Sequence, residues 1–126
     1  MKKEAISTTK APGAIGPYSQ GIKVGDFIFT SGQLPINPAT GELVKDIKEA
    51  TKTSLENVKA VLEEAGSSLE KVVKTTVFLK DLNDFGAMNE VYGEYFKGVS
   101  PARSCFQIAK LPKDAVLEIE VVAYIK

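Results

Sequence analysis

Leu117-Glu118-Ile119-Glu120-Val121-Val122-Ala123-Tyr124 is the stretch that decides the fold. It reads as a strand, and successive side chains of a strand point to opposite faces of a sheet. Leu117, Ile119, Val121 and Ala123 therefore share a face that is apolar throughout and suits a layer of helices. Val116, Glu118, Glu120, Val122 and Tyr124 share the other, half apolar and half charged.

The flanking segments supply both strands and helices. Residues 102 to 109 read as another strand, joined to the last one (about 115 to 125) by the turn Leu111-Pro112-Lys113-Asp114. Before it, Asp81-Leu82-Asn83-Asp84 is rich in capping residues. Phe85, Met88, Tyr92 and Tyr95-Phe96 then form a helical stripe, bracketed at its exit by Gly98 and Pro101. Residues 71 to 80 are β-branched and strand-like. An earlier helix opens at Asp46, with Glu49 in capping-box spacing. Ile47, Ala50, Ser54, Val58, Val61 or Leu62, and Ala65 recur along it, and Gly66 is a suitable stop. Residues 21 to 34 read as a hairpin about Gly25-Asp26.

The predicted order is ββαβαββ in one domain spanning residues 1–126. Strand-helix-strand units bring parallel pairing and hairpins bring antiparallel pairing, so the sheet is mixed. Two helices cover only one sheet face, and the class is α+β. The face carrying Glu118 is then bare, and self-association is expected to cover it.

Composition narrows the chemistry. The chain has 16 basic and 16 acidic residues, so its net charge is zero and no basic field favours nucleic acid or an anionic membrane. It has no histidine and one cysteine, which excludes Ser-His-Asp and Cys-His arrangements and His-based or thiolate zinc sites within one chain. There is no GxGxxG and no Walker A sequence. A lone Cys105, no apolar segment near Met1 and no long apolar run lead to the expectation of a cytoplasmic protein.

Few groups remain that can do polar chemistry. Arg103 offers a planar fork that matches a carboxylate in two bonds. Strand alternation groups Arg103, Cys105 and Gln107 against Ser104, Phe106 and Ile108. With Phe106 and Ile108 assigned to the helix side, Arg103 is expected on the same side as Glu118 and Glu120. Glu118 can act as a general base or acid if burial raises its pKa, but Glu120 has the same alternation. The competing interpretation of Arg103 and a glutamate is a structural ion pair. Cys105 has no histidine to activate it and is better read as a small core residue, whose backbone amide near Arg103 could hold a substrate oxygen. Tyr18, in Gly16-Pro17-Tyr18-Ser19-Gln20, either walls a pocket or is a buried strand-entry residue. Ser31-Gly32-Gln33 ends a strand where Gly32 permits close backbone approach, and Asn89 lies on the second helix.

Taken in order, these segments resemble the RidA family, also called the YjgF/YER057c/UK114 family. The likeness runs through Ala14-Ile15-Gly16-Pro17-Tyr18-Ser19-Gln20-Gly21 and Thr30-Ser31-Gly32-Gln33-Leu34-Pro35. It continues through Lys74-Thr75-Thr76-Val77-Phe78-Leu79-Lys80-Asp81-Leu82, Asn89-Glu90-Val91-Tyr92, Pro101-Ala102-Arg103-Ser104-Cys105 and Leu117-Glu118-Ile119-Glu120. The resemblance implies a chorismate-mutase-like fold and a homotrimer with clefts between subunits. It implies hydrolysis of reactive 2-imino acids such as 2-iminobutanoate and 2-iminopropanoate to 2-keto acids and ammonia, with no cofactor and no metal. In that picture Arg103 grips the substrate carboxylate with help from the Cys105 backbone, and Glu118 positions the water. Tyr18 lines the cleft from the adjoining subunit, and Ser31, Gly32 and Asn89 match other cleft positions. The alternative is a non-catalytic module of the same fold that binds small carboxylates or plays a regulatory or chaperone-like part. Nucleolytic activity fits least.

Overall fold

The computed structural model describes all 126 residues. Its elements are β1 (Glu4–Ile6), β2 (Gly21–Val24), β3 (Phe27–Thr30), α1 (Ile47–Glu64), β4 (Val72–Leu79), α2 (Phe85–Tyr95), β5 (Ala102–Gln107) and β6 (Leu117–Tyr124). The six strands form one mixed sheet in the order β1-β2-β3-β6-β4-β5. Only β4 and β5, joined through α2, run parallel. The architecture is the expected α+β with one strand more. β1 pairs antiparallel with β2 through Glu4↔Lys23, Ala5↔Ile22 and Ile6↔Gly21. Three residues are too few to display a period of two, which is why the pattern missed it.

Both helices pack on one face. Leu117 and Ile119 of β6, Val77 and Leu79 of β4, and Ile28 of β3 form one core with Leu55, Val58 and Leu62 of α1 and Met88 of α2, all fully buried. Each such side chain contributes about 1.5–3 kcal/mol by leaving water. Local chemistry sets the ends of α1. Asp46 accepts a hydrogen bond from the Glu49 amide at 3.1 Å, the cap half of the expected box. Gly66 takes φ +86°, and the Ser67 amide returns to the Leu62 carbonyl at 2.8 Å, closing the helix in a Schellman turn. No helix is long and apolar enough to cross a membrane.

The opposite face of the sheet is uncovered. Phe27, Phe29, Phe106 and Tyr124 are 37–48% exposed, and Phe106 meets Phe78 edge-on at 5.3 Å. This corrects the expected orientation of β5. Arg103 is paired with Thr75 and Cys105 with Val77, and Thr75 and Val77 are fully buried under the helices. Arg103 and Cys105 therefore lie on the helix side, whereas Ser104 and Phe106 lie on the open side with Glu118. Assigning Phe106 to the helix layer by its hydrophobicity failed because the open face is itself rich in aromatics.

Candidate active site

The candidate residues fall into two groups on opposite faces of the sheet. The first group surrounds Arg103, on the edge strand β5 beneath α2. Its Nη1 donates to Asn89 Oδ1 at 2.6 Å. Its Cζ lies over the rings of Tyr92 and Phe85, 4.7 Å and 5.3 Å from their centroids. Tyr92 is anchored in turn by a 2.7 Å hydrogen bond with Thr75 Oγ1. The chain's ion pairs are Lys48–Glu90, Lys80–Asp114 and Lys126–Asp26, so Arg103 has no carboxylate partner within the chain. The structural ion pair is thus excluded inside one copy, and the guanidinium keeps its charge for something else.

Cys105 sits half-buried beside it. Burial pushes its thiol up, with the Arg103 charge opposing, so the sulfur stays protonated and is a poor nucleophile. Burial also pushes the Tyr92 phenol up, and Thr75 and Arg103 oppose that rise. α2 is tied to α1 by Tyr95 donating to Glu56 at 2.8 Å and by the Lys48–Glu90 pair at 2.6 Å.

The second group lies on the open side, where Tyr18, Ser31, Gly32 and Glu118 line one cavity of about 670 Å³. Two buried amides hold its walls. Gln20 donates to the carbonyls of Thr8, Ala11 and Pro12 and accepts from the Thr8 amide, fixing the segment that carries Pro12, Gly13 and Ile15. Asn57 of α1 donates to the carbonyls of Leu34 and Ile36 and fixes the opposite wall. Sequence reasoning assigned neither of them. A glutamine or asparagine carries no period of its own, and only burial at 4% and 1% exposure marks these two as structural.

Ser31 donates to the Ser19 carbonyl at 2.6 Å, and Gln33 exchanges backbone bonds with Ile119 at 2.8 and 3.2 Å. These bonds press Gly32 against Glu118. A Cβ at position 32 would stand 2.5 Å from Glu118 Cδ, so only glycine leaves the carboxyl its place. Gly32→Ala is expected to displace Glu118 and lower kcat/KM by about 10- to 100-fold while CD and melting stay close to wild type. Unchanged kinetics in a folded Gly32→Ala protein would contradict that steric role. Tyr18 is 52% exposed, which excludes the buried strand-entry alternative.

Glu118 is half-buried, and its pKa is raised above the ordinary 4.5, first by burial and then by the charge of Glu120. Glu120 is exposed, so the two glutamates of Glu118-Ile119-Glu120 are unequal in a way alternation could not reveal. No grouping of three or more His, Cys, Asp or Glu side chains could hold a metal ion.

Arg103 and Glu118 point away from each other. They lie on opposite faces, on β5 and β6, with β4 between them. Within one copy of the chain the sheet itself stands between them.

A family model described as Endoribonuclease L-PSP matches residues 8–125. A RutC family protein of Pyrococcus abyssi is 63% identical over 125 residues, covering 98% of each chain. The 2-iminobutanoate/2-iminopropanoate deaminase of Escherichia coli is 50% identical, covering 95% of this chain and 96% of its own. The crystal structure of E. coli TdcF with bound serine superposes with a TM-score of 0.93 at 51% identity, covering 96% of this chain and 98% of that one. With a family model spanning nearly its whole length and relatives this similar, the chain belongs to the Endoribonuclease L-PSP family, the RidA/YjgF family whose motifs it carries.

Proposed function

We propose that the protein hydrolyses reactive 2-imino acids, 2-iminobutanoate and 2-iminopropanoate among them, to 2-keto acids and ammonia. The site proposed is completed between copies of the chain in a homotrimer. The observation that carries this reading is the separation itself: an unpaired guanidinium on one sheet face and a half-buried carboxylate with a raised pKa on the other. A second copy that covers the open face can bring its Arg103 edge over the Glu118 cavity, which also buries the exposed aromatics. The relative named as a 2-iminobutanoate/2-iminopropanoate deaminase supports the substrate class.

The chemistry is within reach of these groups. Arg103 holds the substrate carboxylate, helped by the backbone of Cys105, and sets the imine carbon toward Glu118. Tyr18, Ser31, Gly32 and Asn89 complete the binding cleft. Glu118 accepts a proton from water as its oxygen attacks the protonated imine carbon. Glu118 then returns the proton to the nitrogen of the resulting amino alcohol. The C–N bond breaks as Glu118 takes up the hydroxyl proton and the C=O forms. A 2-keto acid and ammonia leave, the ammonia carrying that proton away as ammonium and restoring the carboxylate. One water is consumed, and no oxidation state changes.

The family description names an endoribonuclease, but zero net charge and the lack of histidine favour the imine reading. The test couples an amino-acid dehydratase or oxidase to this protein and follows the decay of the fresh imine. Acceleration supports the reading, and binding of the acid without turnover would favour the carboxylate-binding alternative.

The pH dependence has a definite sign. Glu118 must be ionised to accept a proton, so the acid limb of kcat/KM, which reports the free enzyme, is expected above 4.5. Glu120→Gln removes the second cause of the raised pKa and is expected to shift that limb to lower pH. A kcat/KM profile that ignores Glu120→Gln would separate the limb from Glu118.

A further inference from the structure

Phe85, Asn89 and Tyr92 stand at i, i+4 and i+7 on α2, so they form one stripe spanning two turns, a rise of about 10.5 Å. Arg103 reaches into the middle of that span. The central residue engages an edge of the guanidinium through the 2.6 Å bond to Asn89 Oδ1. The outer residues offer their rings, with centroids at 5.3 Å and 4.7 Å from Cζ.

We propose that Phe85, Asn89 and Tyr92 together form a cradle that pre-orients Arg103, with Phe85 and Tyr92 as positioning residues for carboxylate capture. The inference rests on the reading of Arg103 as the carboxylate grip. A guanidinium has five N–H donors in one plane. Asn89 engages Nη1, and the remaining donors can still make two parallel bonds to a carboxylate. An amide accepts without cancelling charge, whereas an acid at position 89 would compete with the substrate. Arginine is rich in rotamers, and one already held loses less freedom on binding.

The two rings are held differently. Tyr92 is 6% exposed and is locked by Thr75, so its ring is a fixed wall. Phe85 is 36% exposed and stands outside the hydrophobic core cluster, so packing alone does not account for an aromatic there. Its contact with the guanidinium does.

Phe85→Leu and Phe85→Tyr test the cradle, because this half-exposed position can change without emptying the core. Phe85→Leu is expected to raise KM for 2-iminobutanoate roughly three- to tenfold with little change in kcat or melting temperature. Phe85→Tyr, which keeps a ring, is expected to restore KM to within about twofold. A second readout needs no substrate: NMR of the Arg103 side-chain Nε signal reports rotation about Cζ–Nε. Rotation is expected to be slow in the wild type and Phe85→Tyr and faster in Phe85→Leu. Unchanged rotation in Phe85→Leu overturns the cradle even if the wild type turns over imine. A faster rotation in Phe85→Leu supports it even if the wild type shows no turnover, an outcome that would remove only the deaminase reading.

Discussion

Arg103→Ala is expected to lower kcat/KM for 2-iminobutanoate by about 10²- to 10⁴-fold and to leave the fold intact. Hydrogen bonds to charged groups contribute about 1.5–3 kcal/mol each, and every 1.4 kcal/mol is tenfold, so losing a two-bond carboxylate grip reaches that range. The fold is spared because Arg103 lies on an edge strand, makes no ion pair and has Asn89 as its side-chain hydrogen-bond partner. Arg103→Lys keeps the charge without the planar fork and recovers part of the loss. The decisive measurement mixes two inactive proteins. Arg103→Ala and Glu118→Ala subunits, unfolded together and reassembled, give sites that draw one residue from each of two copies. Random assembly makes about a quarter of those sites whole, and activity returns to about that level. If the mixture stays as inactive as its parents, the two residues do not meet across copies and the proposed site is wrong.

What could be read before any coordinates divides along a physical line. Helix capping at Asp46, the stop at Gly66 and the alternation of β6 are local, and each has the place its chemistry suggests. The orientation of β5 is not local. In Arg103-Ser104-Cys105-Phe106 each face of the strand carries one polar and one apolar residue, Arg103 with Cys105 and Ser104 with Phe106. Which face is which depends on two different apolar surroundings, a helix layer on one side and an aromatic open face on the other. Hydrophobicity marks burial somewhere and does not say under what. The candidate site was legible residue by residue through the motifs around Tyr18, Gly32, Arg103 and Glu118. Its division into two halves was not, because it follows from the pairing of β5 with β4, which turns Arg103 to the helix side, and from the strand order, which sets β4 between β5 and β6. The inequality of Glu118 and Glu120 was hidden for the same reason. Only the contact with Gly32, from a segment far away in sequence, sets one apart.

Glu118→Gln separates what this carboxylate does for catalysis from what it does to stability. Glutamine fills the same space beside Gly32 but cannot accept a proton from water, so kcat is expected to fall about 10²- to 10⁴-fold with KM little changed. Stability is expected to move the other way. Burial, and then Glu120, raise the folded-state pKa of Glu118 above its ordinary value of 4.5. A group raised in this way favours the folded state fully below its unfolded pKa, and that contribution is lost as pH rises through the folded pKa. At neutral pH the ionised Glu118 is therefore a net burden on the fold, and glutamine removes it. The melting temperature of Glu118→Gln is expected to exceed that of the wild type by a few degrees at most at pH 7, since the side chain is only half-buried and solvent screens much of the effect. The difference is expected to shrink at pH 4, where the wild-type carboxyl is itself mostly protonated. Running the comparison in an Arg103→Ala background removes any pairing with a guanidinium from another copy, so a gain that persists there comes from burial. Catalytic loss together with a pH-dependent gain in stability identifies Glu118 as a charge the fold tolerates for its chemistry. Loss of both activity and stability at pH 7 would instead make it a structural residue and leave the water without its proton acceptor.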